Sequence, residues 1–212
     1  TPGGADNPFL EHAFLALLEE SGAVGGRGGW QPAHQAVMDG DRLVAALPWY
    51  VRLDSYGEYI FDWGWADAAQ RSGIRYYPKC TSAVPFTPAT GPRLVGDAQA
   101  WPELVASLTS KGSGNHVLFL PEAQIPYFEA QGYFRRHSFQ FHLKNPGWRD
   151  FQDFLESLTS KRRKEVLRER RQVQQAGVEV RVKTGAELKE REWAMLRRFY
   201  EDTCAKMHAI PY

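Results

Sequence analysis

Cysteine is scarce in this chain. Two residues, Cys80 and Cys204, stand far apart among 212. They supply neither a disulfide framework nor a pair of metal ligands, which fits a reducing compartment. The six histidines follow no zinc-like spacing, so no metal site is expected. No apolar run approaches the ~18 residues that a spanning helix needs, and no signal peptide is visible. The chain starts Thr-Pro-Gly-Gly without a methionine, which reads as a trimmed start. The expectation is a cytoplasmic protein with no membrane span. Net charge is small as well, at +1, which excludes a generally cationic surface. Internal repeats and low-complexity segments are absent. Hydrophobic residues are not scarce. They make up 43% of the chain, with 13% aromatics, enough to exclude disorder and to build a sizeable core.

The small net charge hides a local excess. Between Lys161 and Arg171 seven basic residues face two acids, so the rest of the chain carries a net charge of −4. Residues 159–177 read as one helix, with no internal proline, strong helix formers throughout, and Gly177 at the C-cap. Lys161, Lys164, Arg168 and Arg171 fall on one face at about 100° per residue. Leu155, Leu158, Val166 and Val173 fall roughly opposite. Arg162 and Glu169 project within the apolar arc. Ser160 is the expected N-cap, with Lys161 and Arg162 beside the first free N–H groups. That combination makes an anion site. A solvated helix laced with Arg–Glu pairs is the other reading.

The other elements follow from pattern. A helix begins at Asn7-Pro8 and ends at Gly22. Gly25–Gly29 reads as a loop. Residues 34–38 and 43–50 form a hairpin around Asp39-Gly40. Asp54–Trp65 holds five aromatics with Ser55, Glu58 and Asp62. Its rings either line a ligand cleft, with the acids facing in, or are core rings with satisfied polar tips. A short helix covers 66–71, and a strand covers 76–84 with Pro78 marking an edge or bulge. Thr87 and Arg93 lie on a rigid, proline-rich loop, 85–93. Then come a helix at 98–110, a strand at 116–120, a helix at 122–131 and a strand at 134–143. On that last strand Gln140 and His142 share a face. A lone strand histidine serves either as a structural group or in a polar pocket. After the Asn145–Gly147 break, helices at 150–158 and 187–207 flank the basic helix and a strand at 178–182.

This order predicts a mixed α/β (α+β) fold, a mixed central sheet flanked by helices. It matches the element order of the GNAT acyltransferases. The glycine loop by which that fold cradles coenzyme A reads Leu94-Val-Gly-Asp-Ala-Gln99 here, without the usual signature. Six ordered segments carry a closer resemblance: Gly57–Trp63, Tyr76–Lys79, Val84–Pro88, Gly91–Arg93, Gln140–His142 and Ser160–Arg171. Together they resemble a bacterial family of predicted N-acyltransferases that is similar to the Fem-type aminoacyltransferases of peptidoglycan cross-bridges. Asp54 departs from that pattern, which has histidine there.

The resemblance implies a GNAT-like N-terminal domain over residues 1–145. Residues 146–212 would be a helical linker and the start of a second, truncated GNAT-like domain. It implies transfer of an acyl or aminoacyl group to an amine acceptor, with acyl-coenzyme A or aminoacyl-tRNA as donor and no tightly bound cofactor. Glu58, Asp62 and His142 would then bind the incoming ammonium or carry its proton. Tyr59, Trp63, Tyr77, Lys79, Thr87, Arg93 and Gln140 would line the substrate site, with Lys79 and Arg93 on an anionic part of the acceptor. Ser160, Lys161, Arg162, Lys164, Arg168 and Arg171 would meet donor phosphates. Two rivals stand beside this: a non-catalytic RNA- or tRNA-binding module, and a scaffold half that only shapes a partner domain.

Overall fold

The computed structural model describes residues 7–26, 29–108, 112–209 and 211. The chain divides into two compact units at Ser138–Phe139, ahead of the Asn145–Gly147 break. The Gly25–Gly29 loop lies partly outside the described residues.

The first unit holds two small sheets. In one, the order is β1 (Trp30–Pro32), β4 (Tyr50–Arg52), β5 (Lys79–Ser82), β7 (Asn115–Val117). Its pairings are antiparallel except β5 with β7, which is parallel. The connection between those two passes through α3 (Trp101–Ala106), as a parallel pair requires. The other sheet is antiparallel, in the order β2 (Gln35–Asp39), β3 (Arg42–Leu47), β6 (Val95–Gly96). Gly40-Asp41 closes the β2–β3 hairpin, and Gly40 supplies the positive φ such a tight turn needs. Gly96 also has no substitute, since a Cβ there would strike the Val44 carbonyl of β3.

Two apolar clusters hold this unit together. Leu47, Trp49, Cys80, Leu94, Leu104, Val105 and Phe128 form the larger, bringing α3 and α4 (Ile125–Glu129) onto the strands. Val24, Trp30, Tyr50, Ala83 and Leu118 form the smaller, with Leu18 of α1 (His12–Glu20) packed against it. Burial of each large side chain is worth about 1.5–3 kcal/mol, so these two clusters dominate the favourable side of the balance.

β4 and β5 are short, and their two faces go to different places. Val51 and Cys80 are cross-strand partners that pack in the larger cluster. The opposite face aligns Tyr50 with Thr81 and Arg52 with Lys79. All four of these side chains are buried. β5 is thus covered on both faces and pairs on both edges. Pro78 precedes this strand instead of marking an edge or bulge within it.

The second unit is helical: α5 (Phe151–Ser157), α6 (Ser160–Gln175) and α7 (Glu190–Lys206). Leu155 and Leu158 do not belong to the basic helix. Leu155 lies in α5 and Leu158 in the break before α6. Arg163 closes that break. Its guanidinium donates to the carbonyls of Leu155 (2.9 Å), Glu156 (3.1 Å) and Leu158 (3.2 Å), at and just beyond the end of α5.

Two expected strands do not form among the described residues. Phe139, Phe141 and Leu143 alternate correctly but stand 80–94% exposed, and Val180 and Val182 are as open. Alternation specifies which face a strand buries, but a strand also needs a partner for its backbone groups. Neither segment pairs with another strand among the described residues. No helix of the described residues is long and apolar enough to cross a membrane.

Candidate functional site

The register of β4 on β5 sets two cations, Arg52 and Lys79, directly across from each other, both fully buried. Like charges so placed repel. The following loop, residues 53–62, supplies the opposing charge. Glu58 Oε1 accepts from Arg52 Nε (3.0 Å) and Thr81 Oγ1 (3.2 Å), and its Oε2 lies 2.7 Å from Lys79 Nζ. Asp62 Oδ2 accepts from Lys79 Nζ (2.6 Å) and from the Tyr76 hydroxyl (2.7 Å). Lys79 also donates to Ser55 Oγ (2.8 Å), which in turn lies 2.7 Å from the Tyr77 hydroxyl. Asp54 Oδ1 accepts a hydrogen bond from Arg52 Nη2 at 3.0 Å, and the Arg52 guanidinium carbon lies 3.8 Å from the Trp30 ring centroid.

Turning two carboxylates of one short loop inward constrains its backbone. Gly57, Tyr59 and Phe61 all adopt positive φ. For Tyr59 and Phe61 that region is unfavourable, and the ion pairs hold them in it. A Cβ at Gly57 would strike the Phe86 ring. Phe61 is thrown outward, 76% exposed.

The electrostatics follow from burial. Burial alone would raise the Asp62 carboxyl, but the hydrogen bonds from Lys79 and Tyr76 outweigh it and hold Asp62 below its ordinary value. The Tyr76 hydroxyl is pushed well up, by burial first and then by Asp62. His116, on β7 with its ring 6.1 Å from that of Tyr76, is lowered to about 4 by burial and by the nearby Lys79 charge. It is therefore neutral at pH 7.

These shifts predict a two-step loss of stability in acid. His116 must charge as it unfolds, so stability falls as pH drops from about 6.5 to about 4. Asp62 contributes stability that is full above its ordinary value of 3.8 and disappears as pH falls through its lower folded value. Urea midpoints measured from pH 7 to pH 3 should fall in both windows. His116→Gln should flatten the first window and Asp62→Asn the second. Curves parallel to that of the unsubstituted protein would contradict the assignment.

The structure therefore corrects several sequence expectations. The ammonium that Glu58 and Asp62 bind is the chain's own Lys79, and Lys79 has no charge left over for an anionic acceptor. Arg93 is likewise no open anion holder. It is fully buried, and its guanidinium donates to the carbonyls of Ala89, Gly91, Pro92 and Leu118 at 2.9–3.1 Å. Burial lowers it to about 10, so it stays charged. Thr87 donates to the Pro85 carbonyl within the same loop. His142 and Gln140 are exposed and lie 3.3 Å apart in the second unit, whereas Glu58 and Asp62 belong to the first.

Other expected residues do stand at an opening. A cavity of about 570 Å³ is lined by Trp63, Tyr76 and Tyr77, with Ile74 and Arg75 between them in sequence and α2 (Trp63–Arg71) as one wall. Tyr59 is half-buried nearby in sequence but does not line it. On α6, Lys161, Lys164, Arg168 and Arg171 are all exposed. The N-cap is Thr159, whose Oγ1 accepts from the Arg162 N–H, and Ser160 is the first helical residue. Arg162 is also exposed and pairs with Glu165 at 2.6 Å.

Sequence reading missed Arg52, Tyr76, Thr81 and His116. Strand alternation could have found Arg52, since it shares the face of Tyr50. His116 gave no such signal, because its importance comes from a neighbour forty positions earlier, Tyr76.

No curated protein and no solved structure matches this chain. A family profile does, across residues 2–212, so the chain belongs to the FemAB-like family, described as peptidoglycan biosynthesis/recognition.

Proposed function

We propose that the chain takes part in transfer of an acyl or aminoacyl group to an amine acceptor that is a peptidoglycan or cell-wall precursor. The observation that carries this reading is the family match along nearly the whole chain. The residues divide into two tasks. Glu58, Asp62 and Lys79 fix the 53–62 loop and so place Trp63 and, through Asp62, Tyr76. Trp63, Tyr76 and Tyr77 form the wall against which the acceptor lies. Positioning of the amine and removal of its proton are the two demands that such a transfer makes on side chains.

The donor carries phosphates, as aminoacyl-tRNA or acyl-coenzyme A. Lys161, Lys164, Arg168 and Arg171 contact them from one face of α6, with Arg162 beside the helix N-terminus. A tRNA donor distinguishes itself by salt. Each phosphate contact adds nearly one unit to the slope of log affinity against log salt. Charge reversal of the four ridge residues should cut tRNA affinity by about a hundredfold or more and flatten that slope by about three units. Filter binding at several salt concentrations measures both. Transfer itself is tested by mass spectrometry of an amine acceptor mixed with charged tRNA or with acyl-coenzyme A. Donor affinity that ignores salt, or full transfer after charge reversal, removes the ridge from the reading. RNA binding with no transfer from either donor favours the non-catalytic module.

A further inference from the structure

Residues 178–182 read Val-Glu-Val-Arg-Val. They adopt neither helix nor turn and pair with no strand among the described residues. Their side chains nonetheless sort as a strand sorts them. Arg181 Nε and Nη2 donate to the two carboxylate oxygens of Glu179, both at 2.8 Å, so these residues reach to the same side of the chain. The valines between and beside them fall to the other side by the period of two. Val178, Val180 and Val182 are 56%, 77% and 91% exposed. The backbone N–H and carbonyl groups of residues 179–182 make no hydrogen bond among the described residues. An open strand with one apolar face and one charged face recruits another strand along its free edge.

The order of the charges selects the partner. Antiparallel pairing centred on Val180 sets Glu179 of one copy across from Arg181 of another, and does so twice. The same alignment sets Val180 across from Val180 and Val178 across from Val182, so six valines meet on one face. Other alignments are worse. A parallel, in-register pair opposes Glu179 to Glu179 and Arg181 to Arg181. Moving the centre to Glu179 or to Arg181 opposes one of them to itself, and a centre between residues sets a valine against a charge. The other open apolar segment, 139–143, carries Gln140 and His142 between its apolar residues and offers no carboxylate or guanidinium in exchange. The present Glu179–Arg181 contact joins side chains 69% and 71% exposed, so it contributes little. Its carboxylate can accept a second guanidinium. We infer that residues 178–182 are a self-complementary edge by which two copies of this chain join across a two-fold axis at Val180. This edge uses none of the residues assigned to transfer or to the α6 ridge, so it stands apart from the proposed function.

The test is sedimentation equilibrium of the full chain over a range of concentrations. The contact is small, so the expected dimer is weak, with a Kd on the order of 100 µM. Glu179→Arg alone, or Arg181→Glu alone, sets like charges opposite each other at both contacts and should weaken self-association about tenfold or more. Mixing the two single variants should restore association, because every arginine then faces a glutamate of the other copy. One chain carrying both changes should dimerise like the parent. Both positions are exposed, so each variant should keep the parent's circular dichroism and melting. Three results would overturn the inference: a parent that stays monomeric up to about 1 mM, self-association that either single reversal leaves intact, or single variants that fail to associate when mixed.

Discussion

Replacing Lys79 by methionine should bring the first unit close to unfolding. The ammonium of Lys79 lies 2.6 Å from Asp62, 2.7 Å from Glu58 and 2.8 Å from Ser55, all of them buried. Methionine fills much of the same volume but leaves two carboxylates buried, with only Arg52 to answer them. Breaking a buried pair in this way costs about 3–5 kcal/mol, against a typical total of about 5–15 kcal/mol for a domain. The companion variant Lys79→Met with Asp62→Asn removes one charge of each sign. It leaves Arg52 on Glu58 and keeps an acceptor for Tyr76. It should be more stable than Lys79→Met alone, with a coupling of about 1–3 kcal/mol in the cycle. Urea midpoints followed by circular dichroism decide the matter. An unchanged midpoint for Lys79→Met would mean that the pair does not hold the loop.

The second large effect belongs to Arg93. The 85–93 loop contains Pro85, Pro88 and Pro92, which lack the N–H groups that would pair with neighbouring carbonyls. Arg93 supplies the missing donors from its side chain and satisfies four carbonyls with one planar group. Gln124 completes the clamp. Its Oε1 accepts from the N–H groups of Arg93 (2.8 Å) and Leu94 (3.1 Å), and its Nε2 donates to the Leu94 carbonyl (2.7 Å). Arg93→Met should strand those carbonyls, each at about 1–3 kcal/mol, with a combined loss of about 3–5 kcal/mol because the loop partly opens to water. Lysine should rescue little, since three donors on a point charge cannot reproduce the fork. Thermal melting and hydrogen exchange across residues 85–93 measure both effects. Equal melting of the lysine variant and the parent would refute the clamp.

Much of the helical content was legible, because helix signals are local: caps, absence of proline, a 3.6-residue period. The α6 helix, the β2–β3 hairpin and the α+β class needed nothing more. The strands at 134–143 and 178–182 failed for the opposite reason. Their alternation is local, but their existence depends on a partner that alternation does not provide. The site divides the same way. Glu58, Asp62 and Trp63 stand out because acids and aromatics crowd into a dozen positions of the sequence, whereas Lys79 and Tyr77 enter only through the family resemblance. Their roles were not legible, because the pairing of Asp62 with Lys79 spans seventeen positions and follows from the β4–β5 register. Arg93 shows the same limit. Its charge was visible, but the four carbonyls that absorb it were not.

The alignment of Arg52 with Lys79 has a consequence for how the sheet finds its arrangement. A slip of one residue in either strand would turn its cation toward Cys80, Val51 and Leu104, into hydrocarbon with no carboxylate within reach. Every neighbouring alignment of these strands is thereby made costly. Four ionised groups that contribute little net stability can still act as a register lock, selecting one pairing of two strands otherwise too short to specify it.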